Sequence, residues 1–186
     1  MKNKAIFLDR DGTINIDKNY MYKIEDFEFI KDVVKGLKIL SDLGYKLIIV
    51  TNQAGIGRGF YTEEDLKKLN LYMEKKLLEK GIKIEKSYYC PHHPEHGTGK
   101  YKVDCNCRKP NPGMILQGIK DFNVDVKKSY MVGDKMSDAK AGINANVKPI
   151  IVKTGKDITK EIEESGIEIY SSLYEFALNL QEKSEK

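Results

Sequence analysis

No apolar run in this 186-residue chain approaches the roughly 20 residues needed to cross a bilayer, so no membrane partner is expected. The start, MKNKAIFLDRDG, turns acidic too soon for a secretory leader, and a cytoplasmic protein is expected. Arginine is scarce: of 32 basic residues only Arg10, Arg58 and Arg108 are arginines. A lysine-rich chain has reason to keep arginine where planar, bidentate recognition of phosphate matters, chance being the alternative for each one alone. A concentrated basic face is also missing. The 32 basic and 28 acidic residues are interspersed, net charge +4, which argues against a nucleic-acid partner. Cysteine is few and odd in number, which argues against a disulfide framework. All three cysteines and all three histidines fall in one stretch, CPHHPEHGTGKYKVDCNC, from Cys90 to Cys107. What remains is 40% hydrophobic and 32% charged. That fits one globular domain over 1–186, expected as a monomer, with disorder only at the QEKSEK tail.

Short apolar runs read as buried strands at 4–9, 46–51, 86–90, 129–133 and 148–153. Helical patterns lie between them. Val33, Leu37, Leu40 and Leu43 share a face of 31–43, stopped by Gly44. Thr62 caps a helix of about eighteen residues with an acidic first turn, ending at Gly81. Asn111-Pro112 starts another, to about Phe122; 136–145 forms a fourth, and 159–165 and 171–181 add short ones. Strands alternating with helices predict an α/β fold, a Rossmann-like parallel sheet with helices on both faces. Such sheets bind ligands beyond the carboxyl ends of the strands, where the strand order reverses.

The first strand runs into Asp9-Arg10-Asp11-Gly12-Thr13. Alternation points Asp9 and Asp11 the same way, and two carboxylates on one side call for a cation or a proton between them. Hard cations such as magnesium take oxygen ligands of this kind. An Asx-turn would explain one of the two carboxylates, not both. The second strand ends in Thr51-Asn52-Gln53-Ala54, whose uncharged groups can donate to an anion or simply form a polar turn. GIGRG at 55–59 has the wrong glycine spacing for a dinucleotide fingerprint. Arg108-Lys109-Pro110 precedes a helix, and Gly133-Asp134-Lys135 follows a strand. Asp134 is a second candidate metal carboxylate, and Asp138, one helical turn on, is placed to orient it.

The order DxDGT, strand-end Thr, Lys, GDxxxD, spanning residues 5–138, resembles the haloacid dehalogenase superfamily of phosphotransferases. The resemblance implies that Asp9 is the nucleophile of an aspartyl-phosphate. It makes Asp11 the acid that protonates the leaving oxygen and then the base toward water. Thr51 and Lys109 bind the phosphoryl oxygens, and magnesium is held by Asp9, Asp134 and the Asp11 carbonyl, with Asp138 behind them.

Cys90-Pro91-His92 and Cys105-Asn106-Cys107 are two spaced pairs, twelve residues apart. Three thiolates and an imidazole suit tetrahedral zinc in a closed structural site, with His93 and His96 outside it. The two-residue gap of nucleic-acid fingers is absent. Cys107 directly precedes Arg108-Lys109, so zinc here would pin the loop carrying both cations. Only about forty residues separate Asp11 from Thr51 and about fifty separate Thr51 from the loop that carries Lys109, which leaves no room for a large cap domain. Selection must come from loops 14–28 and 54–60 and the zinc loop at 90–107.

FLDRDGTIN, TNQAGIGRG, CPHHP, CNCRKPNPGM and YMVGDK resemble the superfamily branch that holds heptose bisphosphate phosphatases and the histidinol-phosphatase domain. Ala54 stands where that branch often has Ser, keeping a backbone amide without the hydroxyl. The resemblance implies a magnesium-dependent phosphatase acting on a phosphorylated sugar. The reaction expected is removal of the 7-phosphate of a heptose 1,7-bisphosphate, in synthesis of nucleotide-activated heptose for lipopolysaccharide core or other surface polysaccharide. It also implies substrate contacts from Asp17, Lys18, Asn19, Tyr20, residues 51–54, Arg108, Lys109 and Lys135. Histidinol phosphate is the alternative substrate. Arg108 and Lys135 suit a second phosphate better than an ammonium group. A non-catalytic zinc-stabilised module is the remaining reading, opposed by the complete Asp9, Asp11, Lys109 and Asp134 set.

Overall fold

A computed structural model describes residues 2–185. Six strands form one sheet: β1 (Ala5–Leu8), β2 (Lys46–Asn52), β3 (Ile84–Cys90), β4 (Tyr130–Gly133), β5 (Lys148–Val152) and β6 (Glu168–Tyr170). All pairings are parallel, in the order β3-β2-β1-β4-β5-β6. The helices are α1 (Val33–Asp42), α2 (Ala54–Gly57), α3 (Glu63–Leu78), α4 (Gly113–Phe122), α5 (Met136–Asn144), α6 (Lys160–Glu164) and α7 (Leu173–Ser184).

The two-residue alternation of β1 divides the core. Ile6 and Leu8 face a cluster with Leu37 and Leu40 of α1, Met73 and Leu77 of α3, and Phe176 of α7. Ala5 and Phe7 face the other side, with Met114 and Ile115 of α4 and Ala141 of α5. Both faces are thus covered, and β1 at the centre is buried at every position. Thr62 caps α3 in a reciprocal box: its hydroxyl accepts from Asp65 N–H at 3.1 Å, and Asp65 accepts from Thr62 N–H at 2.9 Å.

Three features depart from expectation. β6 is a sixth strand, only three residues long, paired with β5 through Ile150↔Glu168; its Glu-Ile-Tyr run is too short for a periodicity signal. α2 is a single turn that begins at Ala54 and runs into GIGRG. The tail expected to be disordered continues α7 to Ser184, because Leu173, Phe176, Ala177 and Leu180 anchor that helix on the core. The expected absence of a large cap holds. Between β1 and β2 lie only a 3-10 turn at Ile24–Asp26 and α1. No helix among the described residues is long and apolar enough to cross a membrane. Strand order reverses between β1 and β4, and there the polar residues gather.

Candidate active site

Beyond the carboxyl ends of β1, β2 and β4 opens a cleft of about 360 Å³ lined by Asp9, Asp11, Thr51, Gln53, Lys109 and Asp138, among others. Asp9 follows β1 directly, its N–H bonded to Val132 O at 2.9 Å. Its Oδ1 accepts from Lys109 Nζ at 2.7 Å. Burial pushes the Asp9 carboxyl up to about 7, against the pull of Lys109 and with Asp138 and Asp134 adding to the rise.

Lys109 is 3% exposed and uses all three ammonium protons. They go to Asp9 Oδ1, Val50 O and Asp138 Oδ1, each at 2.7 Å. Burial disfavours its charge, but Asp138 and Asp9 outweigh that and raise its pKa well above the usual lysine range. Its backbone is clamped as well: Lys109 N–H donates to Asn52 Oδ1 and Asn52 Nδ2 donates to Lys109 O, both at 3.0 Å.

Asp11 opens on the same cleft with a different environment. It accepts from Arg10 Nη2 at 3.0 Å, Asn15 Nδ2 at 2.9 Å and Gln53 Nε2 at 2.9 Å. Burial works against ionisation, yet Arg10, then Asn15 and Gln53, hold its pKa below the ordinary carboxylate range. Gln53 also donates to Thr51 Oγ1 at 2.9 Å and accepts from Tyr61 OH, which fixes its amide. Arg10 is fully buried, tied to Asp11 and to Asn70 of α3 at 3.1 Å. It is a support for Asp11 and does not reach the cleft as a phosphate ligand.

Asp134, at the end of β4, is fully buried. Its Oδ2 accepts from Lys156 N–H at 2.9 Å, while its Oδ1 is buried without a hydrogen-bond partner. Gly12, at φ +86°, leaves room for this carboxylate, since a Cβ there would meet Asp134 Oδ2 at 2.6 Å. Asp9, Asp134 and Asp138 offer oxygens within 4.8 Å of one another. Both Asp138 oxygens are already taken, by Lys109 and by Lys135 N–H at 3.0 Å. The free Asp134 oxygen beside Asp9 therefore fits a hard divalent cation, with Asp138 outside the ligand set. Among the described residues Asp138 forms no hydrogen bond to Asp134; its contacts are to Lys109 and to Lys135 N–H.

The cysteine and histidine cluster forms a compact four-donor group. Sγ–Sγ separations are 3.0, 3.1 and 3.4 Å, and His92 Nδ1 lies 3.4 Å from Cys107 Sγ and 3.7 Å from Cys90 Sγ. A disulfide needs about 2.05 Å. A tetrahedron with bonds of about 2.3 Å has edges of about 3.7 Å, close to this spacing. The donors fit zinc, with Nδ1 the His92 nitrogen that faces the three sulfurs.

The HAD-hydrolase-like family model matches residues 106–176. Over 162 residues the chain is 51% identical to D-glycero-beta-D-manno-heptose-1,7-bisphosphate 7-phosphatase of Haemophilus influenzae, covering 87% of this chain and 88% of that one. The enzyme of the same name from Escherichia coli K12 is 42% identical over 182 residues, 96% of this chain and 95% of that one. The chain belongs to this phosphatase family. It is a phosphoric monoester hydrolase of the haloacid dehalogenase type. In structure it matches D,D-heptose 1,7-bisphosphate phosphatase from B. bronchiseptica, complexed with magnesium and phosphate, with a TM-score of 0.82 and 26% identity over 97% of this chain and 99% of that one.

Most residues marked in this phosphatase from sequence meet at the cleft: Asp17, Asn19, Tyr20, Asn52, Ala54, Arg108 and Lys135 all line it. Lys18 does not. Its Nζ turns to Asp26 O at 2.8 Å and Glu28 at 3.3 Å, bracing the loop. Lys135 lies at the carboxylate end, 3.9 Å from Asp134 Oδ1. Arg58, singled out by the scarcity of arginine, also lines the cleft, as do Tyr61, His93, Ser137 and Lys156, which sequence reasoning did not name for the site. Lys156 does carry a signal: it is a charged residue in the turn beyond the fifth strand, as Asp134 is beyond the fourth.

Proposed function

We propose that this phosphatase removes the 7-phosphate of D-glycero-D-manno-heptose 1,7-bisphosphate through an aspartyl-phosphate on Asp9, in synthesis of nucleotide-activated heptose for surface polysaccharide. The observation that carries it is Asp9 paired with Lys109 beside buried Asp134, whose Oδ1 accepts no hydrogen bond. The names of the relatives supply the substrate. Asp9 and Asp134, with the Asp11 carbonyl, would hold magnesium, which when bound supplies positive charge against the phosphoryl oxygens.

The chain's residues divide the rest of the work. Lys109 fixes Asp9 through Oδ1, which leaves Oδ2 to form the bond to phosphorus. Thr51 Oγ1 faces the phosphoryl oxygens, and Lys109, held by Asp9, Val50 O and Asp138, supplies positive charge beside them. As the ester bond breaks, Asp11 gives a proton to the leaving oxygen; entry of the anionic phosphoryl group beside it raises its proton affinity for that step. Once the sugar leaves, Arg10, Asn15 and Gln53 favour the Asp11 carboxylate, which takes a proton from the water that attacks phosphorus. Asp9 is released with inorganic phosphate.

Rapid acid quench of a single turnover with substrate radiolabelled in the 7-phosphate should leave acid-stable, hydroxylamine-labile label on the protein. Asp9→Asn should abolish that label and lower turnover by about four powers of ten or more, about 5 kcal/mol in barrier. Normal turnover by Asp9→Asn would refute the nucleophile. A higher kcat/KM for histidinol phosphate would refute the substrate.

A further inference from the structure

The charges lining the cleft are almost all paired. Lys109 has Asp9 and Asp138, Lys156 has Asp17 at 3.2 Å, and Lys135 faces Asp134 at 3.9 Å. Arg58 and Arg108 are different: among the described residues neither forms an ion pair. Arg108 spends one N–H on His92 O at 3.3 Å. Among the described residues the Arg58 side chain forms no hydrogen bond, and its Nε is buried without a hydrogen-bond partner. A buried guanidinium N–H left open costs stability unless something else satisfies it.

Arg58 is placed by construction. It is the cap residue of α2, the single turn that follows Thr51-Asn52-Gln53, so one short segment carries both the reacting-phosphate groups and this arginine. Gly57, next to it, lies under the zinc loop: Thr98 N–H and Oγ1 both donate to Gly57 O, at 2.8 and 3.0 Å. A Cβ on Gly57 would meet Pro91 O at 2.6 Å. α2 and the zinc loop are thus locked backbone to backbone, bringing Arg58 toward His93 and Arg108 of the other segment. The Tyr20 ring backs the Arg58 guanidinium at 5.7 Å from its centroid, with Phe60 edge-on to Tyr20 at 4.8 Å. Asn19 and Tyr20 both hold left-handed φ, 52° and 53°, a costly conformation in two successive residues that places this ring at the cleft.

We infer that Arg58 is a specificity-determining residue of this phosphatase, acting with Arg108 to bind the second, non-reacting phosphate of a sugar bisphosphate. The inference rests on the bisphosphate reading above. A planar donor fork with open N–H groups and no carboxylate matches a phosphate dianion, and two arginines can share its oxygens. Gln53, Thr51 and Lys109 are then left to the reacting phosphate. His93 lines the same part of the cleft, and its Nδ1 accepts from Glu95 and His96 N–H at 3.2 and 3.1 Å. The proton of the neutral ring therefore sits on Nε2, where it can add one further donor.

The test compares wild type, Arg58→Gln and Arg58→Lys, each zinc-loaded and with magnesium. The first readout is the ratio of kcat/KM for heptose 1,7-bisphosphate to that for heptose 7-phosphate. The second is product inhibition by heptose 1-phosphate, which carries only the far phosphate, against inhibition by inorganic phosphate, which occupies the reacting end. Arg58→Gln should lower the ratio about ten- to hundredfold, chiefly through KM, and raise Ki for heptose 1-phosphate by about tenfold while Ki for inorganic phosphate shifts less than about threefold. Arg58→Lys should recover part of the loss and also serves if the Gln variant folds poorly. A wild-type preference for the bisphosphate that survives both substitutions overturns the role of Arg58 alone. A wild-type ratio near one overturns the bisphosphate reading and this inference with it.

Discussion

Asp138→Asn separates two accounts of the same carboxylate. If Asp138 served to orient a magnesium ligand, its loss would weaken magnesium binding and leave the metal-free fold intact. The structure instead puts its Oδ1 at 2.7 Å from Lys109 Nζ, with both side chains about 2% exposed. At that distance, and an effective dielectric of about 20, the attraction is about 6 kcal/mol. Removing one partner of a buried pair typically costs about 3–5 kcal/mol. Lys109 keeps Asp9 and Val50 O, which pulls the figure down. The new amide, however, would turn a donor toward Lys135 N–H, which Asp138 now accepts at 3.0 Å. The two effects leave about 3 kcal/mol. For a chain of this size that corresponds to about 6–12 °C in Tm. Thermal melting in magnesium-free buffer, with zinc retained, measures it directly. The reasoning fails if Asp138→Asn melts within about 1 °C of wild type and shows only a raised magnesium requirement.

Further tests address the metal loop and its anchor. Protein purified without chelators should carry one zinc per chain by elemental analysis, and Cys107→Ser should lose most of it, loosen the 90–107 loop to proteolysis and weaken activity through Lys109; a chain without zinc but with full activity would contradict this. Glu63 accepts from Tyr101 OH at 2.6 Å and from Tyr89 OH, joining α3 to the zinc loop. These hydrogen bonds hold its pKa below the ordinary glutamate value of 4.5. A depressed folded pKa gives stability that is present above the unfolded value and lost as pH falls through the folded one. The stability difference between wild type and Glu63→Gln in urea unfolding should therefore be largest near about pH 6 and shrink below about pH 4.5; a constant difference from about pH 6 to about pH 3 would contradict the assignment.

The architecture was legible because apolar runs and helical stripes alternate without interruption, and because the rule about strand carboxyl ends selects Asp9, Thr51 and Asp134 directly. β6 and α2 escaped because three or four residues carry no period. The gathering of Asp9, Asp11, Thr51 and Lys109 at one cleft was legible, and the contacts that support them less so. The scarcity of arginine makes Arg10 a candidate phosphate ligand, yet Asn70, sixty positions away, draws it into the interior. Asp138 lies one turn from Asp134 in sequence, but Lys109, brought from another loop, claims it. Lys18 sits among cleft residues and is turned outward by Asp26 O and Glu28. Each outcome depends on a contact distant in sequence, which local spacing cannot supply.

The four-donor group also sets where the molecule can change. Cys90 and Cys107 sulfurs lie 3.0 Å apart, so the intervening segment is a closed cassette with both ends fastened at one point beside Lys109. Residues 102–104 within it are exposed. For a flexible loop each doubling of length costs only about 0.6 kcal/mol, and a metal held by the four donors would isolate Lys109 from events at the tip. Insertions or replacements at 102–104 would thus alter the exposed tip while the groups at the fastened end keep their places, which makes the cassette a natural point of divergence, and of redesign.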